Sequence, residues 1–343
     1  ADRVLDDSNP FPARVAVNRV WQHLFGRGIV ASSDNFGVLG EAPTHPELLD
    51  LLADDFRNDG WSLKRLIKRL VLTRTYRLGG KDGGAADDAG RTEADPNAGT
   101  SQTELLRGSP VSSDKSEHKA DAPEDLRFAR SGLQTSAAYR RAEEIDPTNK
   151  LLHRFSVRRL EGEVIRDEIL AISGRLDPAH FGPSVPTYLT SFMEGRGRPA
   201  ESGPLDGNGR RSVYQSVRRN FLNPFMLAFD TPQPATAISR RSVSNVPAQS
   251  LILMNNEFVH QQANVWAKHL LAKGLPDDTA IIHHAYRVAF AREPSDTELA
   301  SVLEFIQADA ESSADSTNAL QNESTLTSVC HVLLNQKEFL FLD

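Results

Sequence analysis

Apolar residues recur at helical spacing through most of this chain and lose that spacing over one long stretch. Val17, Val20, Trp21, Leu24 and Phe25 fall at i, i+3, i+4, i+7 and i+8, one face of an amphipathic helix. Asn9-Pro10 can open that helix, because Pro fits the first turn, and Gly26 and Gly28 can close it. Leu48, Leu52 and Phe56 predict a second helix, ended by Gly60. Thr44-His45-Pro46-Glu47 reads as its capping box, in which the Thr hydroxyl and the Glu carboxylate satisfy free amides reciprocally. A third helix starts at Ser62 and is striped by Leu63, Leu66, Ile67, Leu70 and Val71. From Gly79 to about Thr135 the pattern breaks, and Gly, Ala, Asp, Ser, Thr and Pro dominate. Such a segment cannot bury enough apolar surface to offset its ordering entropy, so 79–135 is expected to be a disordered insertion.

Helical spacing resumes at about 157–173. Residues 177–210 are rich in Gly and Pro and read as an extended loop, and Ser212–Val217 reads as a short strand. From Pro247 onward the chain reads as helical. Val259, Ala263, Trp266 and Leu270 stripe one helix, and a second runs from about 278 to 291. Ser295-Asp296-Thr297-Glu298 is another capping box, opening a helix faced by Leu299, Val302, Leu303 and Ile306. A last helix presents Leu326, Val329, Cys330, Leu333 and Leu334. No fixed-period repeat is present. The expectation is a mainly α fold: a multi-helix orthogonal assembly with one composite core, a long Gly/Pro-rich loop region and at most a short β hairpin. Its parts are a three-helix part at 1–78, the insertion at 79–135, and a helical part at 136–343 that packs on 1–78.

Composition changes this picture in three ways. The 343 residues carry 39 Lys and Arg against 46 Asp and Glu, a net charge of −7, so nucleic acid is not the expected partner. The single cysteine, Cys330, cannot form an internal disulfide, a zinc cluster or a Cys-x-x-Cys-His haem attachment. On an apolar stripe it reads as a small buried hydrophobe. No apolar run approaches the ~18 residues of a membrane span. The first residues, Ala1-Asp2-Arg3, show neither an initiator Met nor a signal-peptide pattern, so the chain is expected to be a piece of a longer protein. Charge is uneven. Residues 151–250 carry net +4 and all 13 basic groups there are Arg, whereas residues 251–343 carry net −8. Internal pairing of the two segments is one explanation, and an Arg face for an external anion is the other.

Two constellations could carry chemistry. On a helix through 157–173, at 100° per residue, Glu161 and Glu168 fall in the middle of an arc formed by Val157, Leu160, Val164, Ile165, Ile169 and Ile172. Arg154 and Arg175 would extend them into a column on the core side. That column reads either as a buried ion-pair network or as a functional carboxylate pair in a cleft. Seven residues rise roughly 10 Å, more than glycosidase carboxylates are usually apart. The second constellation is the paired arginines Arg210-Arg211, Arg218-Arg219 and Arg240-Arg241, near Tyr214, Phe221, Phe225 and Phe229. They either bridge loops to acidic elements or grip an anion. The ten histidines show no metal spacing, and no Gly-x-Ser-x-Gly, His-Glu-x-x-His or P-loop occurs. No metal site and no cofactor is expected in this chain. Asp34, in a polar turn, and His23, beside the first stripe, read as structural.

Several blocks carry a resemblance. They are Asn9-Pro10-Phe11-Pro12-Ala13-Arg14-Val15, the run from Asn18-Arg19-Val20-Trp21 to Gly28-Ile29-Val30, and Pro43-Thr44-His45-Pro46-Glu47-Leu48-Leu49-Asp50. Further blocks are Gly60-Trp61-Ser62-Leu63-Lys64, Arg158-Arg159-Leu160-Glu161, Ile165-Arg166-Asp167, Arg211-Ser212-Val213-Tyr214, Val246-Pro247-Ala248-Gln249-Ser250-Leu251 and Asn335-Gln336-Lys337-Glu338-Phe339. Together they resemble the planctomycete cytochrome-c-associated C-terminal domain, domain of unknown function fifteen fifty-three. The resemblance covers nearly the whole chain apart from the insertion. It implies an exported, extracytoplasmic protein whose upstream domains include a cytochrome-c-like one, and it supplies no catalytic residue.

The expected function is a non-catalytic partner or scaffold domain of an exported cytochrome-c-associated protein. Its partners would be haem-bearing or other domains of the same or a neighbouring polypeptide. The alternative is an enzyme or binding module for acidic or sulfated polysaccharide, using the Arg-rich site with Glu161 and Glu168.

Overall fold

The computed structural model describes Asp6 and residues 9–78, 137–235, 238, 240–312 and 322–342. The insertion expected at 79–135 lies outside these residues. Among them, twelve helices and one two-stranded sheet make the chain mainly α, as its periodicity predicts. The chain divides into two compact units, the first ending at Val157 and the second comprising Arg158–Leu342. Residues 137–157 fall in the first unit.

The first unit contains α1 (Phe11–Phe25), α2 (Pro46–Asn58), α3 (Leu63–Val71) and α4 (Ala137–Ile145). Its core joins Ala13, Val17, Trp21 and Phe25 of α1 to Leu49, Leu52, Ala53 and Phe56 of α2 and Leu66 and Leu70 of α3. Leu63 and Ile67 of α3 are exposed, so its buried stripe is narrower than the spacing predicts. Gly26, at φ 82°, turns the chain out of α1 with its N–H on the Gln22 carbonyl, a left-handed position that suits a residue without Cβ. The loop that follows is locked from inside α1. Asn18 is fully buried; its Nδ2 donates to the Val30 carbonyl at 3.0 Å and its Oδ1 accepts from Val30 N–H at 2.8 Å. A Cβ on Gly28 would meet the Val30 oxygen at 2.5 Å and both ends of the Asn18 amide. Tyr76 sets its ring edge-on to Phe25 and to Phe155.

The capping box expected at Thr44–Glu47 does not form. His45 is the N-cap of α2 and supplies no side-chain cap. Thr44 is engaged elsewhere: its N–H and hydroxyl both donate to the Ile29 carbonyl, at 2.9 and 3.3 Å.

The second unit contains β1 (Arg158–Arg159), α5 (Gly162–Ile172), α6 (Pro224–Ala228), α7 (Pro247–Asn255), α8 (Glu257–Ala272), α9 (Asp278–Phe290), α10 (Asp296–Ser312), α11 (Glu323–Leu334), α12 (Lys337–Leu340) and β2 (Phe341–Leu342). The pair α8 and α11 lies at the centre of its core, where Val259, Ala263, Trp266 and Leu270 join Leu326, Val329, Cys330 and Leu333. Burial pushes the Cys330 thiol far up, so the group is an inert core side chain. Here the expected capping box does form. Ser295 Oγ accepts from Glu298 N–H at 3.3 Å, and Glu298 accepts from Ser295 N–H at 2.8 Å. Arg292 bridges Glu298 and Glu338, at 2.7 and 2.6 Å, and holds Glu298 down at about 2.

Three local expectations are corrected. The helix read over 157–173 is α5, Gly162–Ile172, and Arg158–Arg159 is strand. That strand pairs antiparallel with β2 in the register Arg158↔Leu342 and Arg159↔Phe341, so the sheet joins the two ends of the unit and is not a hairpin. Ser212–Tyr214 is a 3-10 turn, and Gln215 makes only an isolated parallel bridge to Val185.

Candidate functional site

The late start of α5 changes which residues it buries. Its inner face is Gly162, Ile165, Arg166, Ile169 and Leu170, while Val164 is exposed. Val157 and Leu160, which biased the arc, precede the helix. Glu161 is therefore not on the buried face. It is the N-cap residue on extended backbone, its side chain 41% exposed, 3.3 Å from Arg241. Arg241 also pairs with Glu163, at 2.7 Å. The expected column does not exist: Arg154 lies 3.8 Å from Glu143 in the first unit, and Arg175, past the left-handed Gly174, pairs with Asp206 at 2.6 Å.

Glu168 remains on the helix, partly buried, with no hydrogen bond or ion pair among the described residues. Burial raises its carboxyl from 4.5 to about 7. A raised folded-state pKa means the native state holds the proton longer, so stability falls as pH rises from 4.5 to about 7. Glu168→Gln is expected to match the parent near pH 4, to melt progressively higher than it as pH rises from 4.5 to about 7, and to keep that margin above pH 7. Thermal melts of both proteins across this range check it, and a gap that stays constant with pH refutes it.

The six candidate arginines divide into two groups. Arg210 stacks on Tyr214, 4.2 Å from its ring centre, donates to the Phe181 carbonyl at 2.6 Å and lies 3.6 Å from Asp177. Arg211 lies 3.4 Å from Asp167, and Arg241 holds Glu161 and Glu163. Arg218, Arg219 and Arg240 are exposed, and their side chains have no partner among the described residues. The pairing expected between the Arg-rich middle and the acidic C-terminal third is not what joins these groups. Arg159, Arg166, Arg175, Arg210, Arg211 and Arg241 pair with acids between Glu161 and Asp230.

The arginine that organises the region is Arg166, which lies off the apolar arc expected over 157–173. Its side chain is 2% exposed. Nη1 donates to the Arg210 carbonyl and to Ser212 Oγ, at 3.0 and 3.1 Å, and Nη2 donates to the Asp206 carbonyl at 2.7 Å. With the Gln215 amide oxygen facing the guanidinium, Nη2 and Nε donate to it at 3.0 and 3.3 Å. Burial pulls this guanidinium down to about 10, against the pull of Asp167 and Asp206. Asp167 adds two bonds, accepting from Ser212 N–H and Oγ, each at 2.7 Å. A Cβ on Gly207, at φ 60°, would meet Arg166 Nη2 at 2.6 Å. So Ile165-Arg166-Asp167 grips Arg211-Ser212. In the same way Arg159 holds Asp230 at 2.6 Å, Asp230 accepts from Ser244, and Gln249 donates to the Ser244 and Ala228 carbonyls. The signal for Arg166 was present: once Gly162 opens the helix, Arg166 falls beside Ile165 and Ile169 on the apolar arc.

The Arg166 clamp also forms part of a cavity of about 330 Å³ within the second unit. Tyr188 and Phe192 come from the long loop, Asn223 and Phe225 from the start of α6, and Asn256, Glu257 and Phe258 from the start of α8. A smaller cavity of about 90 Å³ includes Arg218 and Glu163. Among the described residues, no group of three or more His, Cys, Asp or Glu could hold a metal ion, and no helix is long and apolar enough to cross a membrane.

Comparison with curated proteins and with solved structures returned no significant match. A family model does match, over residues 1–105 and 131–306. The buried locks at Asn18, Arg159 and Arg166 lie inside that match, and the chain belongs to PSD1, a family of proteins of unknown function (DUF1553).

Proposed function

We propose that this chain is a non-catalytic docking domain that presents Arg218 and Arg219 to an acidic surface on a haem-bearing domain of the same or a neighbouring exported polypeptide. One observation carries this reading: Arg210, Arg211 and Arg241 are engaged within their own fold, whereas Arg218 and Arg219 are exposed beside the exposed Val217. Free arginines beside an apolar side chain suit a contact whose rate and specificity come from charge. The catalytic alternative has little support. Glu161 sits in an ion pair, and Glu168 makes no hydrogen bond or ion pair among the described residues that would couple it to an acid-base partner.

The test is binding to the cytochrome-c-like domain of the parent polypeptide at low and high salt. Arg218→Ala/Arg219→Ala is expected to weaken binding about tenfold at low salt and to flatten the salt dependence. Unchanged affinity in the double variant refutes the docking pair. Competition by sulfated glycan, with no binding to the haem domain, favours the polysaccharide reading instead.

A further inference from the structure

We infer that the cavity framed by Tyr188, Asn223, Asn256 and Glu257 binds a neutral saccharide unit. The site is independent of the docking pair proposed above.

The cavity holds about 330 Å³, the lower end of the ~300–1,000 Å³ of small-molecule sites. Its walls mix aromatic rings with unengaged polar groups. Phe225 and Phe258 are buried and meet edge-to-face at 6.0 Å, and Phe192 stands at the rim, 93% exposed. Asn223 and Asn256 each use Oδ1 to cap a helix, accepting from Phe225 N–H and Phe258 N–H at 2.9 and 3.0 Å. Their Nδ2 groups make no other bond among the described residues, which leaves four N–H donors on a site with an apolar floor. Tyr188 donates to Glu257 Oε2 at 3.1 Å, and Glu257 Oε1 keeps its acceptor capacity.

Charge then selects the ligand. The lining carries one cation and one anion, Arg166 and Glu257. The Arg166 N–H groups are already directed at Arg210, Ser212, Asp206 and Gln215, so an incoming anion gains no free donor from it. Glu257 would also repel an anion, and Arg166 would repel a cation. A neutral polyol fits both constraints. Its hydroxyls accept from the asparagine amides and donate to Glu257, and its C–H face covers the phenylalanines. This chemistry runs against the acidic or sulfated glycan that the arginine pairs suggest.

The experiment is saturation-transfer NMR and calorimetry on the full chain, with a panel of probes. Neutral probes are glucose, galactose, mannose, xylose, N-acetylglucosamine and their β-linked dimers. Anionic probes are galactose sulfate and galacturonic acid. At least one neutral probe is expected to bind at millimolar or better affinity, and the anionic probes at least about tenfold more weakly. Glu257→Gln and Phe192→Ala change exposed side chains, and each is expected to weaken the neutral probe roughly tenfold or more while leaving the melting curve unchanged. Failure of every neutral probe to bind at millimolar concentration overturns the inference. So does binding that ignores both substitutions, or anionic probes that bind as well as neutral ones.

Discussion

Replacing Arg166 with Met is expected to destabilise the second unit by about 4 kcal/mol. Met fills much of the volume and carries no charge, so the loss does not come from a cavity. It comes from the acceptors left behind. The carbonyls of Asp206 and Arg210, Ser212 Oγ and the Gln215 amide would all lose the guanidinium in a site where Arg166 is 2% exposed. Each buried group left unpaired costs roughly 1–3 kcal/mol, and partial relaxation recovers some of the sum. Arg166→Lys is expected to keep most of the loss, because a single ammonium cannot fork to four acceptors on separate residues. The check is denaturant unfolding together with amide exchange in the Asp206–Gln215 segment. A loss below about 1 kcal/mol in Arg166→Met, or full rescue by Lys, would show that the segment is held by something else.

Asn18→Ala is the second large effect, about 3 kcal/mol in the first unit. Asn18 is fully buried and satisfies both the N–H and the carbonyl of Val30. Alanine strands both backbone groups away from water and opens a small void against Gly28. Asn18→Asp is not expected to rescue, since it keeps the acceptor for Val30 N–H but sets a carboxylate oxygen against the Val30 carbonyl. Amide exchange at Val30 is the direct readout. It should accelerate in Asn18→Ala well beyond the other amides of α1. If Val30 stays as protected as in the parent, the side chain is not the lock.

These two locks lie in segments that the family model matches. Asn18, Gly28 and Val30 lie in one block, Arg166 and Asp167 in a second, and Ser212 in a third. Asn18, Arg166 and Asp167 each satisfy backbone groups of a loop that has no ladder of its own. Their role is to hold long connections in place.

Much of the helical plan was legible. The stripe Val259, Ala263, Trp266, Leu270 and the stripe Leu326, Val329, Cys330, Leu333, Leu334 are buried as their spacing predicts. Ser295–Glu298 caps as its sequence predicts, whereas Thr44–Glu47, with the same signature, does not. The difference lies in a tertiary competitor: the Thr44 hydroxyl has the Ile29 carbonyl available to it. The candidate site was less legible. Glu161 and Glu168 share a buried face only on a helix that begins near 157, where Val157 and Leu160 join the arc; the helix begins at Gly162. Val164 and Arg166 lie about 200° apart around the helix, so an arc that loses Val157 and Leu160 recentres away from the exposed Val164 and onto the buried Arg166.

Helix positions, the buried cysteine and the division between periodic and non-periodic segments follow from residues within a few positions of one another, so the chain order alone decides them. The partners of charged side chains do not follow that way. Arg166 reaches acceptors 40 to 46 positions away, Arg159 an acid 71 positions away, and Arg241 two acids at the start of α5, the N-cap Glu161 and Glu163. Local spacing carries no record of such distances. Packing of α5 against the Asp206–Gln215 segment settled which arginines are buried and engaged, which stay free at Arg218 and Arg219, and where the asparagine-lined cavity opens.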